Sequence, residues 1–495
     1  MNLIKRGASF GVTSFFLCTF APVMKNRLLY TFLLPFLVLI GLAAMMFLPE
    51  LEIAGYALKP VNLLSDVGVS SSNLHTPLED DEPLMLDSIP EIKPTFQEEH
   101  PEGMTIVEDF SSQLSDSSFF VGRGMDHFYE MLGKSKELTR PVRIAYFGDS
   151  FIEGDILTDQ LRADLQSEFG GEGVGYIDMA SPTAGFRRSV RAYSKGWRQK
   201  SITDSVRFDR SRQGLAERFY VPIGSAYTNV NGLPNRKSKH QDTCSVSNVY
   251  FRSPEGMSVS VRINGGETQT FEALATEEVQ TLGVRGRIGK VTWSVTGDSI
   301  DRGDTFFGVS MDGVNGVALD NFSLRGSSGI TLGTIPDHTL EEFAKVRAYD
   351  LIVLQFGLNV ANARRGNYAE YERKMRQVVV KLAKAFPEAS ILIVSVSDRG
   401  QKVDGEVTTM YGIEQLVKYQ RQLAYRTGCA YWNLFEAMGG KGSMAVFADS
   451  IPVRANKDYT HLNFAGGRYL GHLLFEALVD GKNNYEKRKA YEAEP

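Results

Sequence analysis

Cysteine is nearly missing from this chain. Cys18, Cys244 and Cys429 are the only three in 495 residues, too few for a disulfide framework, and no Cys/His cluster has the spacing of a zinc site. Neither metal nor organic cofactor is expected. A basic stripe is missing as well: 54 Lys+Arg stand against 59 Asp+Glu, for a formal charge of -5 and a pI near 5.9. That balance argues against a nucleic-acid partner. Low-complexity tracts are absent too, and 43% of the residues are hydrophobic, so most of the chain is expected to fold, as more than one domain.

One long apolar run is present. Residues 28–48, LLYTFLLPFLVLIGLAAMMFL, hold no charge; as a helix they would span about 31 Å, enough to cross a bilayer. Lys25 and Arg27 precede the run, and Glu50 and Glu52 follow it. By the positive-inside tendency this predicts a single-pass inner-membrane anchor with the bulk of the chain on the periplasmic side. Met24 heads a second normal-looking start, and no small-residue cleavage site is evident after Leu48, so retention of the segment is expected. Residues 1–52 are read as cytoplasmic stub and anchor. Residues 53–115 are read as an acidic, Pro-rich linker, with Glu79, Asp80, Asp81, Glu82, Asp87 and Glu91 set among Pro77, Pro83, Pro90 and Pro94.

Beyond the linker the rhythm is strand, then helix. Short apolar runs at 142–147, 350–356, 390–397 and 429–435 alternate with helix-period segments, the first marked by Leu157, Leu161 and Leu165. This predicts a doubly wound α/β parallel sheet of flavodoxin-like type over 116–205 and 320–482, with a polar tail at 483–495. Between the halves, residues 206–319 switch to short alternating strands with turns such as Asn264-Gly265-Gly266, the pattern of an inserted β-sandwich.

In open α/β sheets ligands bind at the carboxyl ends of the strands. Three short stretches fall there: Gly148-Asp149-Ser150, Gly357-Leu358-Asn359, and Asp458 with His461 in KDYTHLNFAGG. A serine hydroxyl is a weak nucleophile until a histidine takes its proton, and that histidine needs a carboxylate to fix its tautomer. An oxyanion needs donors aimed at it, such as backbone N–H groups and an amide. Other candidates have plainer explanations. Glu153 and Asp155 fit helix-dipole roles, Arg187 and Arg188 a solvated pair or contacts to an anionic glycan, His472 a packed core position, and Trp293, Tyr250 and Phe251 a sandwich core.

These stretches resemble the blocks of the SGNH, or GDSL, esterases and acyltransferases. Ser150 matches the nucleophile, Asn321 and Gly326 in NFSLRG the second block, Gly357 and Asn359 the third, and Asp458 and His461 the last. Val360 departs from the pattern, which often has Asp after the third-block Asn. The resemblance implies Ser150, Asp458 and His461 as catalytic residues, with Ser150, Gly326 and Asn359 as the oxyanion hole. A β-rich, carbohydrate-binding-like module between the first two blocks is similar to the arrangement in peptidoglycan O-acetylesterases. The implied activity is removal of O-acetyl groups from a cell-wall glycan, with peptidoglycan as the leading polymer, through an acetyl-serine intermediate. Acetyl transfer onto a cell-wall or exported polysaccharide is the alternative, since the same intermediate serves both. A glycan-binding protein without turnover is a third reading.

Overall fold

The computed structural model describes residues 51–53, 56–58, 96–113, 118–181, 183, 185–204, 208–234, 240–297 and 301–493. The expected membrane segment at 28–48, the alternative start at Met24 and most of the acidic linker lie outside them. Among the described residues no helix is long and apolar enough to cross a membrane. The chain divides into two units, Met1–Pro83 and Leu84–Pro495. In the first, a hairpin pairs Leu51–Ile53 with Tyr56–Leu58.

The second unit is built on a six-stranded sheet in the order Val317–Ser323, Val142–Gly148, Leu351–Gln355, Ser390–Val394, Ala430–Trp432, Val107–Asp109. The first five strands run parallel, and Val107–Asp109 closes the edge antiparallel to Ala430–Trp432. In chain order the parallel strands are arranged 2-1-3-4-5, the flavodoxin-like winding. Every residue of Leu351–Gln355 and Ser390–Val394 is buried, as expected for strands covered on both faces, which explains their unbroken apolar runs. The helices Thr158–Phe169 and Phe464–Ala493 pack together, as do Ala369–Ala385 and Ile413–Thr427.

Three expected boundaries move. The parallel-sheet unit takes in part of the predicted linker: Val107–Asp109 joins the sheet, Trp432 Nε1 donates to the Thr105 carbonyl at 2.9 Å, and His100 Nδ1 lies 2.6 Å from Asp480. The predicted tail at 483–495 is helical as far as Ala493, because its charges pair along the helix, as in Lys482–Glu486 at 2.7 Å and Lys489–Glu492 at 2.9 Å. The antiparallel region begins well before residue 206, since Gly175–Asp178 pairs with Thr305–Asp312 and Val190–Ser201 with Arg218–Gly232.

That antiparallel sheet has nine strands, joined through the long strand Arg218–Gly232. Its two halves face each other over Val230, Val261, Val291, Val249, Phe251 and Val309. Trp293 shows the layering, because its Nε1 donates to Ser247 Oγ at 3.1 Å although two strands separate theirs in the sheet order. Tyr250, Phe251 and Trp293 are buried, in keeping with core roles. The insert is also continuous with the core of the parallel sheet: Leu215, Phe219, Val221 and Phe307 belong to the same apolar cluster as Phe147, Leu332 and Phe343.

Candidate active site

The site lies where strand order reverses, between Val142–Gly148 and Leu351–Gln355, the crevice that doubly wound sheets reserve for ligands. The chain leaves the first strand at Gly148, where a Cβ would come within 2.8 Å of Ile152 and 3.0 Å of the Gln355 carbonyl. Glycine lets the corner turn against both neighbours, and Ser150 emerges half-buried at its tip. Asp149 points inward. Its Oδ1 accepts the Phe151 N–H and its Oδ2 accepts Asn359 Nδ2, both at 2.9 Å. Burial pushes its carboxyl up to about 6, against the opposing pull of these bonds and of His461.

Opposite Ser150 stands the loop before the last helix. Asp458 folds it into a tight turn, with Oδ1 accepting the N–H groups of Thr460 and His461 at 3.0 Å each. Oδ2 lies 2.8 Å from His461 Nδ1, and His461 Nε2 lies 3.2 Å from Ser150 Oγ. Burial raises the Asp458 carboxyl, but the hydrogen bonds from His461 and Thr460 outweigh it and hold the group below the usual carboxylate range. Two glycine contacts set the helix close to the serine segment, and a third sets it against the loop that precedes it. A Cβ on Gly467 would meet the Ile156 carbonyl at 1.9 Å, one on Gly471 the Leu157 carbonyl at 2.6 Å, and one on Gly466 the Arg454 carbonyl at 2.0 Å.

The third wall is the turn after Val317–Ser323. The Leu324 N–H donates to the Gly148 carbonyl at 2.9 Å, which ties the turn to the serine corner. Gly326 sits in it with φ +79°, a conformation that favours glycine. Among the described residues neither the Ser150 nor the Gly326 N–H donates to another group of the protein. Asn359 differs: both Nδ2 hydrogens are used, on Asp149 and on the Ser327 carbonyl, each at 2.9 Å. The carboxylate beside this Asn thus comes from Asp149, whereas position 360 is valine.

All the predicted site residues converge on this corner: Ser150, His461 and Asp458 in line, and Gly326 and Asn359 in the loops beside them. Several plainer readings give way. Asp155, expected to serve a helix dipole, is buried between Arg162 and Arg187, at 3.1 and 2.7 Å, and despite its burial these cations hold its carboxyl well below the usual range. Asn321 caps the same cluster, its Nδ2 donating to the Ile152 carbonyl, Asp155 Oδ1 and Thr158 Oγ1 at 2.8, 2.9 and 2.8 Å. Arg187 is therefore not a solvated residue, and Arg188 lies 3.9 Å over the Phe464 ring. His472 is not core, because its side chain is half exposed beside Asp164 and Glu476. One signal for the Asp155 cluster was present in the sequence: Arg162 sits next to Leu161 in the leucine-spaced helix, two turns after Asp155.

No protein-family model and no curated protein sequence matches this chain. Among solved structures, one described as a peptidoglycan O-acetylesterase in action matches at 18% identity and TM-score 0.62, covering 76% of this chain and 99% of its own. The two chains share one fold. The likeness runs through nearly the whole of that protein. An acetyl xylan esterase matches at 19% identity over 32% of this chain and 81% of its own, with TM-score 0.24. A family two carbohydrate esterase from Cellvibrio japonicus matches at 10% identity over 59% of this chain and 99% of its own, also with TM-score 0.24.

Proposed function

We propose that this chain is a serine esterase that removes O-acetyl groups from a cell-wall glycan, with peptidoglycan as its polymer, and that residues 28–48 anchor it in the inner membrane with the catalytic unit on the periplasmic side. The observation that carries the reading is the relay from Ser150 Oγ through His461 to Asp458, with spacings of 3.2 and 2.8 Å, at the end of a parallel sheet where substrates bind. The fold shared with a peptidoglycan O-acetylesterase agrees with it.

In this reading Ser150 Oγ attacks the acetyl carbonyl while His461 Nε2 takes its proton. Asp458 holds the His461 Nδ1–H and balances the imidazolium charge. The Ser150 and Gly326 N–H groups face the developing oxyanion, and Asn359 joins them by giving up the Ser327 carbonyl. The sugar oxygen leaves with the proton from His461, which creates the acetyl-serine ester. Water, deprotonated by the same imidazole, attacks that ester, and acetate departs as Ser150 regains its proton. The test incubates O-acetylated peptidoglycan with wild-type protein and with Ser150→Ala. Free acetate from the wild type alone supports the reading. Acetate from both proteins removes Ser150, and acetyl groups appearing on an added glycan in place of free acetate would make the chain a transferase.

A further inference from the structure

A charge count over the whole chain hides a local excess. Residues 187–201, RRSVRAYSKGWRQKS, hold six cations and no acid, in a protein of formal charge -5. The structure lays most of this segment out as the edge strand Val190–Ser201, whose only sheet neighbour among the described residues is Arg218–Gly232.

The pairing register fixes what the open face of this half-sheet presents. Arg191 stands opposite Asn231, Tyr193 opposite Asn229 and Lys195 opposite Tyr227. The next strand adds Lys290, Thr292 and Ser294 on the same side, and the one beyond adds Arg262 and Ser260. The other side is apolar, with Ala192, Val230, Val291, Trp293 and Val261 facing the core. Tyr193 and Tyr227 are diagonal neighbours with 57% and 39% of their surface open, among the few large apolar side chains left exposed. Arg191, Lys195, Arg262 and Lys290 form no ion pair with the described residues. The carboxylate on this face is Glu272, at its far strand, which accepts from Ser258 Oγ at 2.7 Å.

This face also starts at the rim of the candidate site. Just before the strand, Arg187 binds Asp155 behind the serine corner, and Arg188 stacks on Phe464 beside the His461 loop. From Val190 to Lys195 is about 17 Å of extended chain, so a polymer lying on Arg191, Tyr193 and Lys195 continues toward Ser150.

We infer that the open face around Arg191, Tyr193, Lys195 and Tyr227 is a docking surface for carboxylate-bearing peptidoglycan strands, an inference that rests on the proposed polymer. Tyrosine rings stack on the apolar faces of sugars, Asn, Ser and Thr side chains offer hydrogen bonds to hydroxyls, and unpaired cations attract the carboxylates of the peptide stems.

The test measures co-sedimentation of the full-length protein in detergent with purified insoluble peptidoglycan at low and high salt, alongside turnover of a small acetyl ester. The Arg191→Gln/Lys195→Gln double variant and the Tyr193→Ala/Tyr227→Ala double variant should each bind at least tenfold more weakly, with ester turnover and melting temperature unchanged because all four side chains are exposed. Peptidoglycan whose carboxylates have been amidated should bind wild type as weakly as native polymer binds the charge variant. Wild-type binding by both variants, indifference to amidation, or tighter binding to polygalacturonate than to peptidoglycan would overturn the inference. Ester turnover lost in wild type with polymer binding intact would instead strike the esterase reading and leave the docking surface standing.

Discussion

The parallel and antiparallel sheets of this protein handle polar groups in opposite ways. The parallel sheet is buried on both faces and concentrates its chemistry at one end, where loops after separate strands bring Ser150, Gly326 and Asn359 to one corner. The half-sheet around Val190–Ser201 buries one face and spreads cations, amides and hydroxyls over the other. The first arrangement suits attack on a single bond, and the second suits contact with an extended polymer. The two are joined by buried ion pairs as well as apolar packing. Arg347 lies between Asp312 of the antiparallel sheet and Asp320 of the parallel one, at 2.7 and 2.6 Å, with Tyr349 donating to Asp320 at 2.7 Å. Arg218 reaches Asp178 at 2.6 Å and the Ser323 carbonyl at 2.9 Å, and Arg252 reaches Glu342 at 2.7 Å. A module added only for binding would not need such a joint, so the insert and the parallel sheet form one body.

The largest effect that can separate the two sheets is at Ser150. Ser150→Ala should lower acetyl-ester turnover by several orders of magnitude while leaving the melting temperature and peptidoglycan binding at wild-type values, read by parallel kinetic and sedimentation assays. Asp458→Asn comes next. It should cut the plateau rate by roughly three to four orders of magnitude, because the imidazole can then take the wrong tautomer. A plateau within tenfold of wild type would remove Asp458 from the relay.

The joint should break both sheets together. Arg347→Met leaves Asp312 and Asp320 buried without their cation, which should cost about 3 to 5 kcal/mol, seen as one cooperative denaturant transition at lower midpoint. Two separate transitions would mean that the sheets fold independently, and deletion of the insert would then spare turnover of a small ester.

The smallest effect depends on pH. Glu217, from the strap before Arg218–Gly232, accepts from Ser327 Oγ at 3.4 Å in the turn that holds Gly326, and burial pushes its carboxyl up to about 7 from an ordinary 4.5. The folded state therefore holds this proton more tightly than the unfolded chain. Its contribution to stability is complete below about 4.5 and is lost as pH rises through 7. Glu217→Gln should match wild type at pH 4.5 and exceed it at pH 8 by up to about 3 kcal/mol, measured as the shift in urea midpoint. Equal midpoints at pH 8 would show that Glu217 is ionised without penalty.

Much of this was legible in the residues, because some constraints act locally. The apolar runs at 351–355 and 390–394 fit only a sheet covered on both sides, and Asp458 and His461, three apart, can meet within one turn. The joint was not legible. Asp155 and Arg187 are 32 residues apart, and Arg347 and Asp312 are 35 apart, with no periodic relation to suggest pairing. The early strands Gly175–Asp178 and Val190–Ser201 were misplaced for a similar reason: a glycine-rich segment and a cationic one carry weak strand signals, and pairing partners far along the chain decide their structure.

By itself the sequence determined the strand–helix rhythm of the parallel sheet, the alternation of the insert and the short motifs that hold the candidate site residues, since each depends on neighbours within a few residues. The tertiary structure alone decided that Asn359 spends its amide on Asp149 and Ser327, that Asp155 is a buried hub beside the site, and that Arg262 and Lys290 share one open face with Arg191 and Lys195. Those outcomes depend on distances between segments far apart along the chain. Such distances are set when the two sheets pack and desolvate the charges between them.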